Sequence, residues 1–229
     1  MLLPASLRSV PPPAGRTALG PMTEPAPDVA VLLDRSPAAS RSRDGVRAAI
    51  ETAVAELVAA LRTHHLGTAD HSNRLAASCR AVGEELDLPP DELFELELVA
   101  ILHDIGKLAV PAAILDLARP LDGEERAVVQ AHTIRGAEML TEIAGLAHLA
   151  PLVRSSHEHW DGSGYPDHLV GARIPLGARV VFTVDAFDAM TNDRPYRRAL
   201  GYAEARRRIA DGAGSEFDPR VVRAVLTAL

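Results

Sequence analysis

Four histidines and two aspartates carry the chemistry available to this sequence. His103 and Asp104 stand side by side in Leu102-His103-Asp104-Ile105-Gly106-Lys107. An imidazole beside a carboxylate can hold a metal ion, and one carboxylate can bridge two. Lys107 adds a compact ammonium suited to a phosphate. It is the only lysine among 229 residues, the other basic residues counted with it being arginines. An ammonium differs chemically from a planar guanidinium, so this exception points to a specific role. His71, His132, His157 and Asp185 complete the set. Nitrogen and oxygen donors without a thiolate favour Fe, Mn, Ni, Co or Zn over softer copper sites. Two metals sharing a carboxylate would also share a water or hydroxide, a nucleophile at neutral pH, and would clamp phosphoryl oxygens.

Helices must position these groups. Val46, Ile50, Val54, Leu57, Val58 and Leu61 recur at helical spacing and predict a helix over 46–62. His71, Leu75 and Cys79 are four apart, so His71 opens a second helix pointing with its core face. Pro89-Pro90-Asp91 starts the next helix, with Asp91 expected at the N-cap. Leu93, Leu96, Ala100 and His103 share its inward face, and Gly106 is expected to close it. Asp122 and Glu125 form a capping box that predicts one helix through His132 to Leu140. A short apolar helix follows over 146–156, then a loop with two glycines, a proline and the only tryptophan, ordered rather than a linker. Residues 180–184 are ambiguous: Val-Val-Phe-Thr-Val favours a strand, yet Val181, Val184, Asp185 and Asp188 share a helical face. Helices over 202–210 and from Asp218-Pro219 to Leu229 finish the chain.

A hydrophobic content of 47% with only 3% aromatics implies an aliphatic core of packed helices. The net charge of −7 and a pI near 5.7 argue against polymeric nucleic acid and membrane surfaces as partners. They leave room for an anionic substrate held by a local cluster. The single Cys79 suits a reducing, cytoplasmic compartment, and no apolar run is long enough to span a bilayer. Residues 1–44, rich in Pro and Ala without a sustained period, read as a disordered leader, with Met22 an alternative start to Met1. Residues 45–229 form the functional domain.

The motifs, in order and spacing, resemble the HD-GYP domain, a branch of the HD phosphohydrolases. They are His103-Asp104-Ile105-Gly106-Lys107, His132-x-x-x-Gly136, His157-Glu158-x-Trp160-Asp161-Gly162-x-Gly164-Tyr165-Pro166, and Asp185-x-x-Asp188-Ala189-Met190-Thr191-x-Asp193-Arg194-Pro195-Tyr196-Arg197. The resemblance runs from about residue 45 to the end. It implies an all-α domain and resolves 180–184 as helix. It also implies hydrolysis of cyclic di-GMP to the linear dinucleotide and GMP by a metal-bound hydroxide. His71, His103, Asp104 and Asp185 match one metal's ligands, and Asp104, His132 and His157 a second metal's. Iron or manganese is expected first, with Zn, Ni or Co as alternatives. Lys107 and Arg194 match phosphate contacts, and Arg197 a further basic contact. Asp104 and Lys107 are therefore the expected catalytic pair. Glu158, Asp161, Gly164, Tyr165, Pro166 and Asp188 are motif residues with shaping or orienting roles; for Tyr165 and Pro166 loop shaping stands beside substrate contact, and for Asp161 capping beside orienting a histidine.

Two positions depart from the pattern. Ser156 stands where the family has a further histidine, which would weaken the second metal site, and His159 is the nearby imidazole that could compensate. Gly67 replaces a glutamate that supports a third metal in some members, so two metals at most are expected. Two other readings follow: a weakened domain that binds a cyclic dinucleotide or protein without turnover, and a phosphohydrolase for another nucleotide. Signalling partner proteins or a homodimer remain open.

Overall fold

The computed structural model describes residues 43–64, 69–193 and 198–229. The leader up to residue 42 with both candidate starts, Gly67, Arg194 and Arg197 lie outside these residues. Among those described, the fold is helical and without strands. Helices α1 (Arg43–His64), α2 (Ala69–Glu85) and α3 (Pro90–Leu102) lead into a 3-10 turn, Ile105–Ala109. Then come α4 (Ala112–Leu115), α5 (Gly123–Gln130), α6 (His132–Thr141), α7 (Ala150–Arg154), α8 (Leu176–Thr191), α9 (Tyr202–Asp211) and α10 (Pro219–Ala228). The α2–α3 hairpin packs on α8 and α10, while α6 covers the 3-10 turn and α7.

Aliphatic side chains fill the interior, as expected. Leu75, Leu96, Leu102, Leu108, Leu140, Leu149 and Ile209 are fully buried, each contributing about 1.5–3 kcal/mol by burial. The ambiguous 180–184 stretch is helical. Val180, Val181, Thr183 and Val184 are all buried in α8, and the Thr183 hydroxyl donates to the Arg179 carbonyl one turn back at 2.8 Å. Packing on several faces of this helix overrides local β-propensity. The capping box is formed in full: Asp122 accepts from the Glu125 N–H, and Glu125 accepts from the Asp122 N–H. Asp218 caps α10 through the Arg220 N–H, with Pro219 in its first turn.

Four local expectations are corrected. Pro89, extended at φ −67° and ψ 159°, is the N-cap of α3, and Asp91 lies inside the first turn. There its charge favours the helix N-terminus. Second, α3 stops at Leu102, and Gly106 does not close it. Third, the segment from Asp122 to Leu140 is two helices, interrupted at Ala131. His132 Nδ1 and the Thr133 hydroxyl hydrogen-bond the Val129 and Gln130 carbonyls at 2.6 and 3.2 Å. Side chains thus satisfy backbone acceptors where the ladder breaks. Fourth, the 146–156 segment divides into a 3-10 turn, Ala147–Leu149, and the short α7.

Candidate metal centre

Helix ends, joined by Asp185 from mid-helix, bring the ligand candidates to one place. His103 caps the C-terminus of α3, Asp104 begins the 3-10 turn and His132 opens α6. His71 comes from α2 and Asp185 from α8, while His157 follows α7. Gly106 makes the approach of the turn to α6 possible: a Cβ there would collide with the His132 carbonyl and the Gly136 amide.

The donor atoms form two trios. His71, His103 and Asp185 place one ligand atom each within 4.8 Å of one another, and so do Asp104, His132 and His157. Asp104, a member of the second trio, also borders the first. Its Oδ2 is 3.5 Å from His103 Nε2 and its Oδ1 3.5 Å from His132 Nε2. Lys107 Nζ is 2.6 Å from Asp104 Oδ2 and about a quarter exposed, so its charge sits at the edge of the centre.

Backbone and carboxylate partners orient the rings. His103 Nδ1 is 2.9 Å from the Ala100 carbonyl and His132 Nδ1 is 2.6 Å from that of Val129. Only an N–H can serve a carbonyl, so both rings are held with Nε2 free to act as a ligand. His71 Nδ1 is 2.7 Å from Asp188 Oδ2, with its Nε2 3.1 Å from Asp185 Oδ1. Asp188 is fixed in turn by the Asn192 side-chain amide at 2.9 Å, with Arg74 Nε at 3.5 Å.

The electrostatics suit cations. Burial disfavours charge on Asp104, yet Lys107, His103 and His132 outweigh it and hold the carboxyl well below the usual range. Asp185 is likewise held low: burial opposes ionisation, but the hydrogen bond from His71 and the charge of His103 prevail. Burial opposes charge on His71 too, but hydrogen bonds to Asp185 and Asp188 raise its pKa to about 9. His132 moves the other way, to about 4, chiefly through burial, and burial also lowers His157.

Three buried polar atoms have no hydrogen-bond partner among the described residues: Asp104 Oδ1, His132 Nε2 and His157 Nε2. Leaving one such atom unpaired costs about 1–3 kcal/mol. All three belong to a single trio, and a divalent cation would satisfy them together. The residues present therefore fit a metal.

Other expected residues divide clearly. The Ser156 hydroxyl, 1% exposed, donates to the Val153 carbonyl at 2.8 Å. His159 lies against Ser163 and Phe182 and belongs to neither trio, so the structure gives no support to compensation for Ser156. Asp161 accepts from the Ser163 N–H and caps the loop; no site histidine is among its hydrogen-bond partners. Glu158 is buried and accepts from the Asp167 and Leu169 amides at 2.6 and 3.1 Å. Gly164 is buried in the same loop, and Tyr165 and Pro166 are half-buried beside it. Sequence reasoning missed Arg74, Asn192 and Arg179. For Arg74 the signal was present: it is one helical turn from His71, as Asp188 is from Asp185, so the two pairs meet across α2 and α8. Arg179 ion-pairs with Asp218 and lies 5.6 Å over Trp160, tying the loop to α10.

Residues 53–221 match the HD domain. This chain belongs to the HD domain family. It is 39% identical over 170 residues to a cyclic di-GMP phosphodiesterase of Pseudomonas aeruginosa, covering 74% of this chain and 41% of that one. Against the 3'3'-cGAMP-specific phosphodiesterase 3 of Vibrio cholerae it is 36% identical over 162 residues, covering 71% and 35%. The chain thus spans less than half the length of either relative. Among solved structures, an HDG"Y"P protein of Bdellovibrio bacteriovorus shares the fold, with TM-score 0.59 and 15% identity over 87% of this chain and 67% of that one. The HD-GYP resemblance read from the motifs therefore stands, as does the all-α fold. No described helix is long and apolar enough to cross a membrane.

Proposed function

We propose that residues 45–229 form a metal-dependent phosphodiesterase that hydrolyses cyclic di-GMP to the linear dinucleotide and GMP. The observation that carries this reading is the pair of adjoining ligand trios, one of them, built on Asp104, with three orphaned buried donors. His71, His103 and Asp185 would hold one divalent metal, with Asp104 alongside; Asp104, His132 and His157 would hold another. This nitrogen and oxygen donor set suits Fe, Mn, Ni, Co or Zn, and the family resemblance puts Fe or Mn first. Bound there, the metals would supply a nucleophile at neutral pH and neutralise phosphoryl oxygens.

The chain's own groups do the rest. Ala100, Val129 and Asp188 fix three of the imidazoles, so donor directions are set before any ligand arrives. Asp104 remains ionised and keeps Lys107 Nζ at the rim. There the ammonium meets a substrate phosphate and stabilises charge building on its oxygens. Arg194 and Arg197 are assigned as further phosphate contacts on the motif alone. Single, buried Cys79 suits the reducing cytoplasm.

Ser156 favours one competing reading, a domain that binds the nucleotide without turnover, because its hydroxyl is committed to Val153 and, among the described residues, no fourth ligand joins the second trio. Anaerobic assay of Mn- or Fe-loaded protein with cyclic di-GMP separates the two. Linear dinucleotide or GMP at catalytic turnover supports the enzyme; stoichiometric binding without product sinks it. A preference for 3'3'-cGAMP in the same assay would reassign the substrate and leave the chemistry in place.

A further inference from the structure

Three of the four site histidines are held by a hydrogen bond at Nδ1: His71 by Asp188, His103 by Ala100 and His132 by Val129. Among the described residues, none hydrogen-bonds Nδ1 of His157. Its ring is instead stacked face to face on Tyr165, with centroids 5.2 Å apart and planes within 6°. Phe182 meets the ring edge-on, with centroids 6.2 Å apart.

The loop is built to deliver that stack. The Tyr165 N–H donates to the His157 carbonyl at 3.1 Å, so the two residues pair across an antiparallel bridge. Gly164 crosses so close to the preceding strand of loop that a Cβ would lie 2.6 Å from Glu158 Cα. Buried Glu158 takes the Asp167 and Leu169 amides and so closes the loop behind Tyr165. Trp160 and Asp161 donate their N–H groups to the Glu216 and Ser215 carbonyls, which anchors the far side.

We propose that Tyr165 is a positioning residue for the second metal site: its stacked ring holds the His157 imidazole with Nε2 toward Asp104 and His132. This rests on the two-metal reading above. It assigns the Gly-Tyr-Pro loop to metal affinity and leaves the tyrosine hydroxyl dispensable.

The test is calorimetric titration of metal-free full-length protein with Mn(II) alone, comparing wild type with Tyr165→Phe, Tyr165→Leu and Tyr165→Met. The expected result is two sites in wild type and in Tyr165→Phe, with affinities within about twofold. In the Leu and Met variants the first site should be unchanged and the second weakened about tenfold or more, the scale for losing a group that orients a ligand. Unchanged second-site affinity in both non-aromatic variants overturns the proposal. Equal damage from Tyr165→Phe overturns it too, by pointing to the hydroxyl. Loss of both sites together in the Leu and Met variants does the same, since the ring would then be holding the fold. A wild type that takes up a single Mn(II) refutes the two-metal reading itself, and this assignment with it.

Discussion

The contacts of Asp188 predict a measurable effect on metal binding. It holds His71 Nδ1 at 2.7 Å and is itself held by Asn192. Asp188→Ala should weaken the first metal site about 10–100-fold, leaving the second near its wild-type affinity; equal loss at both sites would mean that the carboxylate supports the fold generally. Protonation gives a second residue-level prediction. With a pKa of about 9, His71 is protonated near pH 7 in metal-free protein, whereas His132, at about 4, is neutral. Filling the first site at pH 7 should therefore release the proton held by His71, whereas His132 and His157 have none to give at the second. Calorimetry in buffers of different ionisation enthalpy reads both numbers. Much at this scale was legible: each ligand candidate chosen by residue type belongs to one of the two trios. What could not be read was the set of orienting partners, because carbonyls carry no sequence identity and Tyr165 reaches His157 only after the loop closes.

Among the elements, the junction of the 3-10 turn with α6 sets the distance between Asp104 and His132. Gly106→Ala would drive a methyl into the His132 carbonyl and the Gly136 amide. Backbone cannot yield as a flexible side chain can, so we expect a loss of about 1–3 kcal/mol or more. Second-site metal affinity should fall in parallel. Denaturant melts and metal titration of the same variant check both, and a wild-type melt would contradict the close packing. Helix existence was legible from period and capping chemistry: the Asp122–Glu125 box and the Asp218 cap are present as read. The break at Ala131 was not. It depends on His132 and Thr133 turning back onto the carbonyls of Val129 and Gln130, a competition that apolar spacing does not reveal. Gly106 was misread for a similar reason, since a glycine near a helix end suggests a stop while its neighbour in space is invisible.

For the whole molecule, two opposed histidine shifts shape the metal-free protein. His71 is raised above its unfolded value of 6.5, so its contribution is full below about pH 6.5 and is lost as pH rises through about 9. His132 is depressed, so its contribution is full above about pH 6.5 and is lost as pH falls toward 4. The melting temperature of chelator-treated protein should peak near pH 6.5 and decline on both sides. Adding Mn(II) at pH 7 should raise it, since a ligand that binds only the folded state stabilises by mass action. A flat profile across pH 4–9 would show that these rings are not in the environments described.

In the two-metal reading Asp104 stands between the metals. Anomalous scattering from crystals grown with Mn(II) tests it most directly. Two peaks per chain are expected, one among His71, His103 and Asp185 and one among Asp104, His132 and His157. A single peak, or manganese bound away from Asp104, would contradict it.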